Sequence, residues 1–181
     1  MRPTCLLLLT MLASPAIAQT SGPTATSNGA GSPASPVADI RVHWRTMSGF
    51  VLQVAMDVPA EKYSFKPAPE VRSFGELFAH VAGAQSMFCA IALGEQPPAE
   101  DAVTASTKPG LIEALKQSDL NCERAYAQTD AAVASNVNVF GTQRSRLYAL
   151  MMNVMHDGEH YGNLVTYMRM NGMVPPSSRP R

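Results

Sequence analysis

Between Val37 and Met170 the large apolar residues recur every three or four positions in four separate stretches, which points to a helical domain. The first stretch runs from about Val37 to Met56, with Ile40, Trp44, Met47, Val51, Val54 and Ala55 at helical spacing. Pro59 and the Pro67, Pro69 pair mark the loop after it. The second opens at Ser73-Phe74-Gly75-Glu76, where the Ser hydroxyl takes one orphan helix N–H and the Glu reaches back for another. It continues through Leu77, Val81, Ala84, Phe88 and Ile91 to Gly94. A connection from Glu95 to Lys108 leads to a third, weakly patterned helix over about Pro109 to Gln128, carrying Leu111, Leu115 and Tyr126. The fourth and longest spans about Thr142 to Met170 and stops on Asn171-Gly172, with Pro175-Pro176 beyond. No segment shows convincing strand alternation bounded by turns. The expected fold class is all-α, a four-helix bundle.

Composition narrows the function. The 181 residues hold 14 Lys+Arg against 14 Asp+Glu, and this zero formal charge, with no basic cluster, argues against a nucleic-acid partner. The length suits one domain with a sizeable core, not a large multidomain enzyme. At the start, Arg2, the apolar run Leu6–Leu9 with Met11 and Leu12, and Ala16-Ile17-Ala18 have the marks of a signal peptide over 1–18. The run is too short to span a membrane, which needs roughly 20 apolar residues. Cys5 precedes that run and is badly placed for a lipid anchor. Residues 19–36 carry no large apolar side chain before position 36 and read as a flexible linker to a domain over 37–178. The expected product is exported, periplasmic or secreted.

Three of the four histidines invite chemistry. His156 and His160 are four apart on one helix, so both imidazoles project from one face and can reach one ion. His80 lies on the second helix in the stripe of Leu77, Ala84 and Phe88, and can face that pair across the core, where bundle metal sites are built. Three neutral imidazoles with an open position suit a divalent metal such as Zn, Ni, Mn or Fe. The bland reading is two polar residues on a helix edge and a satisfied core histidine. Against it, unpaired imidazoles are costly to bury mid-way along the longest apolar helix. Gly158, mid-helix at a cost of about 1 kcal/mol relative to Ala, suggests a close approach there.

His156-Asp157-Gly158-Glu159-His160 also matches the inverted zinc-protease motif H-x-x-E-H. Such proteases are much larger and take a carboxylate ligand from further downstream, whereas no Asp or Glu follows His160 here. Glu159 is kept as a candidate catalytic base, with a solvent-facing helix carboxylate as the plainer reading. His43, beside Trp44, reads as a surface or edge residue. The methionines Met151, Met152, Met155, Met168 and Met170 read as fillers of core gaps and not as a copper-handling face. Haem attachment has no C-x-x-C-H site to support it.

Several stretches, in order, resemble the DinB/YfiT-like metalloenzyme family. They are Phe65-Lys66-Pro67-Ala68-Pro69, Ser73-Phe74-Gly75-Glu76-Leu77-Phe78-Ala79-His80-Val81, and His156-Asp157-Gly158-Glu159-His160-Tyr161-Gly162-Asn163. Arg169-Met170-Asn171-Gly172-Met173-Val174-Pro175-Pro176 reads like the family's end. The resemblance covers about Ile40 to Ser178. It implies an up-down-down-up bundle, often a homodimer, with a divalent metal held by His80, His156 and His160. The family it resembles includes thiol-dependent transferases and an isomerase that use low-molecular-weight thiols, which implies a small-molecule substrate. The family's usual Gln after the second His of the pair is Asn163 here. Export departs from the family's use of cytosolic thiols.

Cys89 and Cys122 lie in a chain whose expected compartment permits disulfides. In a simple antiparallel hairpin they would be offset by roughly 13 Å at 1.5 Å per residue, beyond the Cα limit of about 7 Å. With the second and third helices parallel, as the resemblance implies, a bridge becomes feasible; two buried free thiols are the alternative. Two functional readings follow: an exported metal-dependent hydrolase or transferase, or a non-catalytic binding or stress-associated module with a structural metal or none.

Overall fold

Ser35 opens the first helix by accepting the backbone N–H of Ala38, and Pro36 fills the first turn, where no N–H is needed. The computed structural model describes residues 35–99 and 101–180; the signal-peptide reading and all but the last two linker residues lie outside them. Helix α1 is Pro36–Asp57, α2 Phe74–Leu93, α3 Lys108–Tyr126, α4 a single turn at Asp130–Val133, and α5 Arg146–Met170. The capping box is present: Glu76 N–H donates to the Ser73 hydroxyl, and Ser73 N–H to the Glu76 carboxylate. Helix α2 ends where Gly94 takes φ 76°, a left-handed conformation that costs glycine little.

Contacts along the helices give their directions. Gln85 meets Ser118, and Cys89 bonds to Cys122, so α2 and α3 run parallel. Arg41 pairs with Glu123 near one end of α1 while Lys108 reaches the carbonyls of Met56 and Val58 at the other, so α1 and α3 are antiparallel. His80 meets His160, Tyr167 reaches the carbonyl of Arg72, and Asn153 lies by Cys89, so α2 and α5 are antiparallel. The bundle is therefore up-down-down-up. The parallel pairing also answers the cysteine question: Cys89 and Cys122 form a disulfide, with Cα atoms 5.2 Å apart.

One expectation needs correction. The stretch before α5 contains a hairpin, β1 Asn136–Val139 against antiparallel β2 Thr142–Ser145. Phe140 and Gly141 turn it with φ values of 49° and 84°, the two positive angles that a two-residue hairpin loop demands. Val137 and Val139 alternate with exposed asparagines and bury themselves on the bundle, but β2 has no apolar residue, so its strand character leaves no alternation to read. Ser145 then caps α5, which starts at Arg146 and not at Thr142.

The core has two apolar clusters. One gathers Val54, Phe74, Phe78, Leu111, Leu164 and Met168; the other gathers Trp44, Cys89, Tyr126, Ala149 and Leu150, with Trp44 stacked on Tyr126 at 4.5 Å. Buried Gln85, Ser118, Asn153, Asp157 and His160 fall along the helices between these clusters. The methionine expectation holds for Met168 alone among the buried residues: Met151, Met155 and Met170 are exposed, because their positions on α5 face away from α1 and α2. Helix α2 is long and apolar enough to cross a membrane by length and composition, and most of that window is buried in the bundle.

Candidate metal centre

Three imidazoles converge where α2 passes α5. The Nε2 atoms of His80 and His160 are 2.9 Å apart, those of His80 and His156 3.0 Å, and those of His156 and His160 3.1 Å. Helical spacing puts His156 and His160 on one face, and the antiparallel pairing of α2 brings His80 between them. The fourth histidine, His43, is exposed on α1, as expected.

Hydrogen bonding alone cannot close this triangle. A neutral imidazole Nε2 either carries a proton or offers a lone pair, so among three such atoms at least two are alike and repel. A cation facing three lone pairs removes the conflict. With edges of 2.9–3.1 Å the triangle's centre lies closer to each atom than a metal–nitrogen bond of about 2.0–2.1 Å, so one ion can reach all three atoms. Among the described residues this is the group of His, Cys, Asp or Glu side chains positioned to hold a metal ion.

Electrostatics favour the lone pairs. Burial pushes His80 and His160 down to about 4; the Arg72 guanidinium adds to this at His80, and His156 and His80 add to it at His160. Both rings are therefore neutral at ordinary pH, the protonation state in which an imidazole can ligate. The Asn163 amide stands 3.4 Å from His160 Nδ1. A ring bound through Nε2 carries its proton on Nδ1, so the amide must then present its oxygen there.

Asp157, next to His156, is fully buried, and neither carboxylate oxygen has a hydrogen-bond partner among the described residues. Burial pushes its carboxyl up to about 6. His156 Nδ1 is buried and unpartnered too, 4.0 Å from the Asp157 carboxylate. Sequence reasoning passed over Asp157, yet a signal was present: Leu150, Asn153, Asp157 and Leu164 share one helical stripe, and a carboxylate on an apolar stripe is out of place.

Two cavities flank the triad. One, of about 400 Å³, is lined by Arg72, Glu76, Ala79, His80, Asp101 and Val103. The other, of about 620 Å³, brings Arg72, Glu76, Lys66, Glu159, His160 and Asn163 together. Glu159 is thus exposed at a cavity beside His160. Gly158, by contrast, meets no close neighbour: a Cβ there would lie 4.0 Å from Met47 Sδ, ordinary contact, so the expected close approach is absent.

Fold and site together define an up-down-down-up bundle with three convergent histidines between two of its helices. The family model of the DinB superfamily matches residues 43–164, and the chain belongs to that superfamily. Among solved structures, a DinB-like protein from Bacillus cereus has a TM-score of 0.67 at 16% identity, covering 77% of this chain and 95% of that one. A DinB-like protein from Bacillus subtilis has 0.63 at 22% identity, covering 79% and 99%. A member of the DinB family from Exiguobacterium sibiricum has 0.62 at 19%, covering 77% and 93%. At these identities the likeness speaks for the fold. No curated protein matches the chain.

Proposed function

We propose that this protein is an exported metal-dependent enzyme of the DinB superfamily, a hydrolase or transferase acting on a small molecule. The observation that carries this reading is the triangle of Nε2 atoms opening onto cavities lined by charged side chains. His80, His156 and His160 would hold the ion. A divalent ion in that place supplies Lewis acidity and lowers the pKa of a coordinated water or thiol. Arg72, on both cavities, offers a guanidinium fork to a carboxylate or phosphate of the substrate. Glu159, which lines a cavity with His160, would take a proton from an attacking nucleophile.

Export is supported by the N-terminal pattern and by the Cys89–Cys122 bridge, a bond that persists in oxidising compartments. A homodimer rests on the family resemblance alone. The deciding experiment is plasma mass spectrometry of the purified domain, comparing wild type with His80→Ala and with His156→Ala/His160→Ala. Near-stoichiometric metal in wild type, lost in both variants, is expected. A wild type that takes up no Zn, Ni, Mn or Fe on reconstitution would leave a non-catalytic helical module.

A further inference from the structure

Asp157 carries a carboxylate into the bundle interior beside the histidine triad. It is fully inaccessible to solvent, lines neither cavity, and has no hydrogen-bond partner among the described residues. An unpaired charge of this kind destabilises a fold unless something compensates it. An unpartnered ring nitrogen lies on the adjacent residue: His156 Nδ1, also buried, 4.0 Å from Asp157 Oδ1. The same core shows that this chain can satisfy buried polar groups, since Gln85 is bonded to Trp44, Ser118 and Asp119.

We infer that Asp157 is a positioning residue for the metal centre, a reading that rests on the triad holding a metal. A shift of about 1 Å brings its carboxylate to hydrogen-bond distance of His156 Nδ1. Accepting that N–H fixes the tautomer whose Nε2 lone pair faces the ion, and it makes the ring a stronger donor. The carboxylate also places one buried negative charge beside three neutral ligands, partly offsetting a dication. Without metal, the same carboxylate is a liability. Asp157 therefore trades stability of the metal-free protein for metal affinity, and the two effects of replacing it have opposite signs.

The test uses the whole exported chain carrying Asp157→Asn, with Asp157→Leu as a second variant and Asp119→Asn as a control for loss of a carboxylate that has partners. Affinity for Zn(II) and Co(II) is measured at pH 8 by competition with a chromogenic chelator, and the melting temperature is taken after metal stripping. Asp157→Asn is expected to bind metal about 10–100-fold more weakly. Its metal-free form should melt higher by about 3 °C or more. Asp119→Asn should keep wild-type metal affinity. Unchanged affinity in Asp157→Asn, or a metal-free form melting below wild type, would overturn the inference while leaving the metal reading intact. A wild type that binds neither ion would overturn both. Should Asp157→Leu fail to fold, the near-isosteric Asn variant decides.

Discussion

Two polar groups share the interior of this bundle and are built in opposite ways. In the first, Trp44 Nε1 donates to Gln85 Oε1, and Gln85 Nε2 donates to Ser118 Oγ and Asp119 Oδ1, each at 2.8 Å. Ser118 passes its own proton to the carbonyl of Leu115, and the group ties α1, α2 and α3 together. In the second, on α5, Asp157, His156 Nδ1 and Asn153 Oδ1 are buried without hydrogen-bond partners among the described residues, although Asn153 still donates to Tyr126. The closed group accounts for itself as structure. The open one sits beside the histidine triad, so the buried polarity that points to a site is the kind left unpaired, not buried polarity wherever it occurs.

The largest effect that would sharpen this contrast is at the triad. His80→Ala, His156→Ala or His160→Ala should each weaken metal binding at least about 100-fold, while Gln85→Leu keeps it. Equilibrium dialysis with elemental analysis would read this, and a Gln85 variant that loses metal would blur the distinction between the two groups. Next in size, Cys89→Ser/Cys122→Ser removes a bridge spanning 33 residues and should cost about 3–4 kcal/mol. Urea unfolding of that variant and of reduced wild type should agree. On the closed group, Gln85→Leu leaves the Trp44 donor and the Ser118 and Asp119 side chains short of a partner, at about 2–3 kcal/mol. A near-neutral result would show that those bonds contribute little.

Acid should act on the open group. Burial lowers His80 and His160 from the ordinary 6.5 to about 4 in the fold, so between those values the unfolded chain binds more protons. Stability of the metal-free protein then falls as pH drops from about 6.5 toward 4. Asp157, raised from 3.8 to about 6, works the other way, its contribution improving on acidification through that window. Two histidines against one carboxylate leave a net loss. Urea midpoints of stripped protein at pH 7.5, 6 and 5 should decline, and a rise toward pH 5 would contradict the burial of the imidazoles. The smallest change concerns Gly158, whose Cβ position meets only Met47 Sδ at 4.0 Å. Gly158→Ala should stabilise by about 0.5–1 kcal/mol with metal uptake unchanged; a destabilised variant would restore the close approach that the sequence suggested.

Much of the bundle was legible in the chain because its signals are local. Apolar spacing placed α1, α2, α3 and α5, Ser73 and Glu76 announced a helix start, and Asn171-Gly172 a helix end. The hairpin was not legible, since β2 is Thr-Gln-Arg-Ser and owes its strand pairing to β1 alone. The surface positions of Met151 and Met155 likewise follow from which helices flank α5.

The sequence by itself determined the number and approximate positions of the main helices, the two faces that carry histidine, and the family to which the motifs point. Each depends on residues a few positions apart, where helix geometry dictates what shares a face. Only the tertiary structure decided that α2 and α3 lie parallel, so that Cys89 meets Cys122. It alone brought His80 within 2.9 Å of His160 across 80 residues of chain. It alone left the Asp157 carboxylate buried without a hydrogen-bond partner among the described residues. Those outcomes depend on how helices pack against one another, and direction, register and burial are properties of the packed pair that no single helix carries.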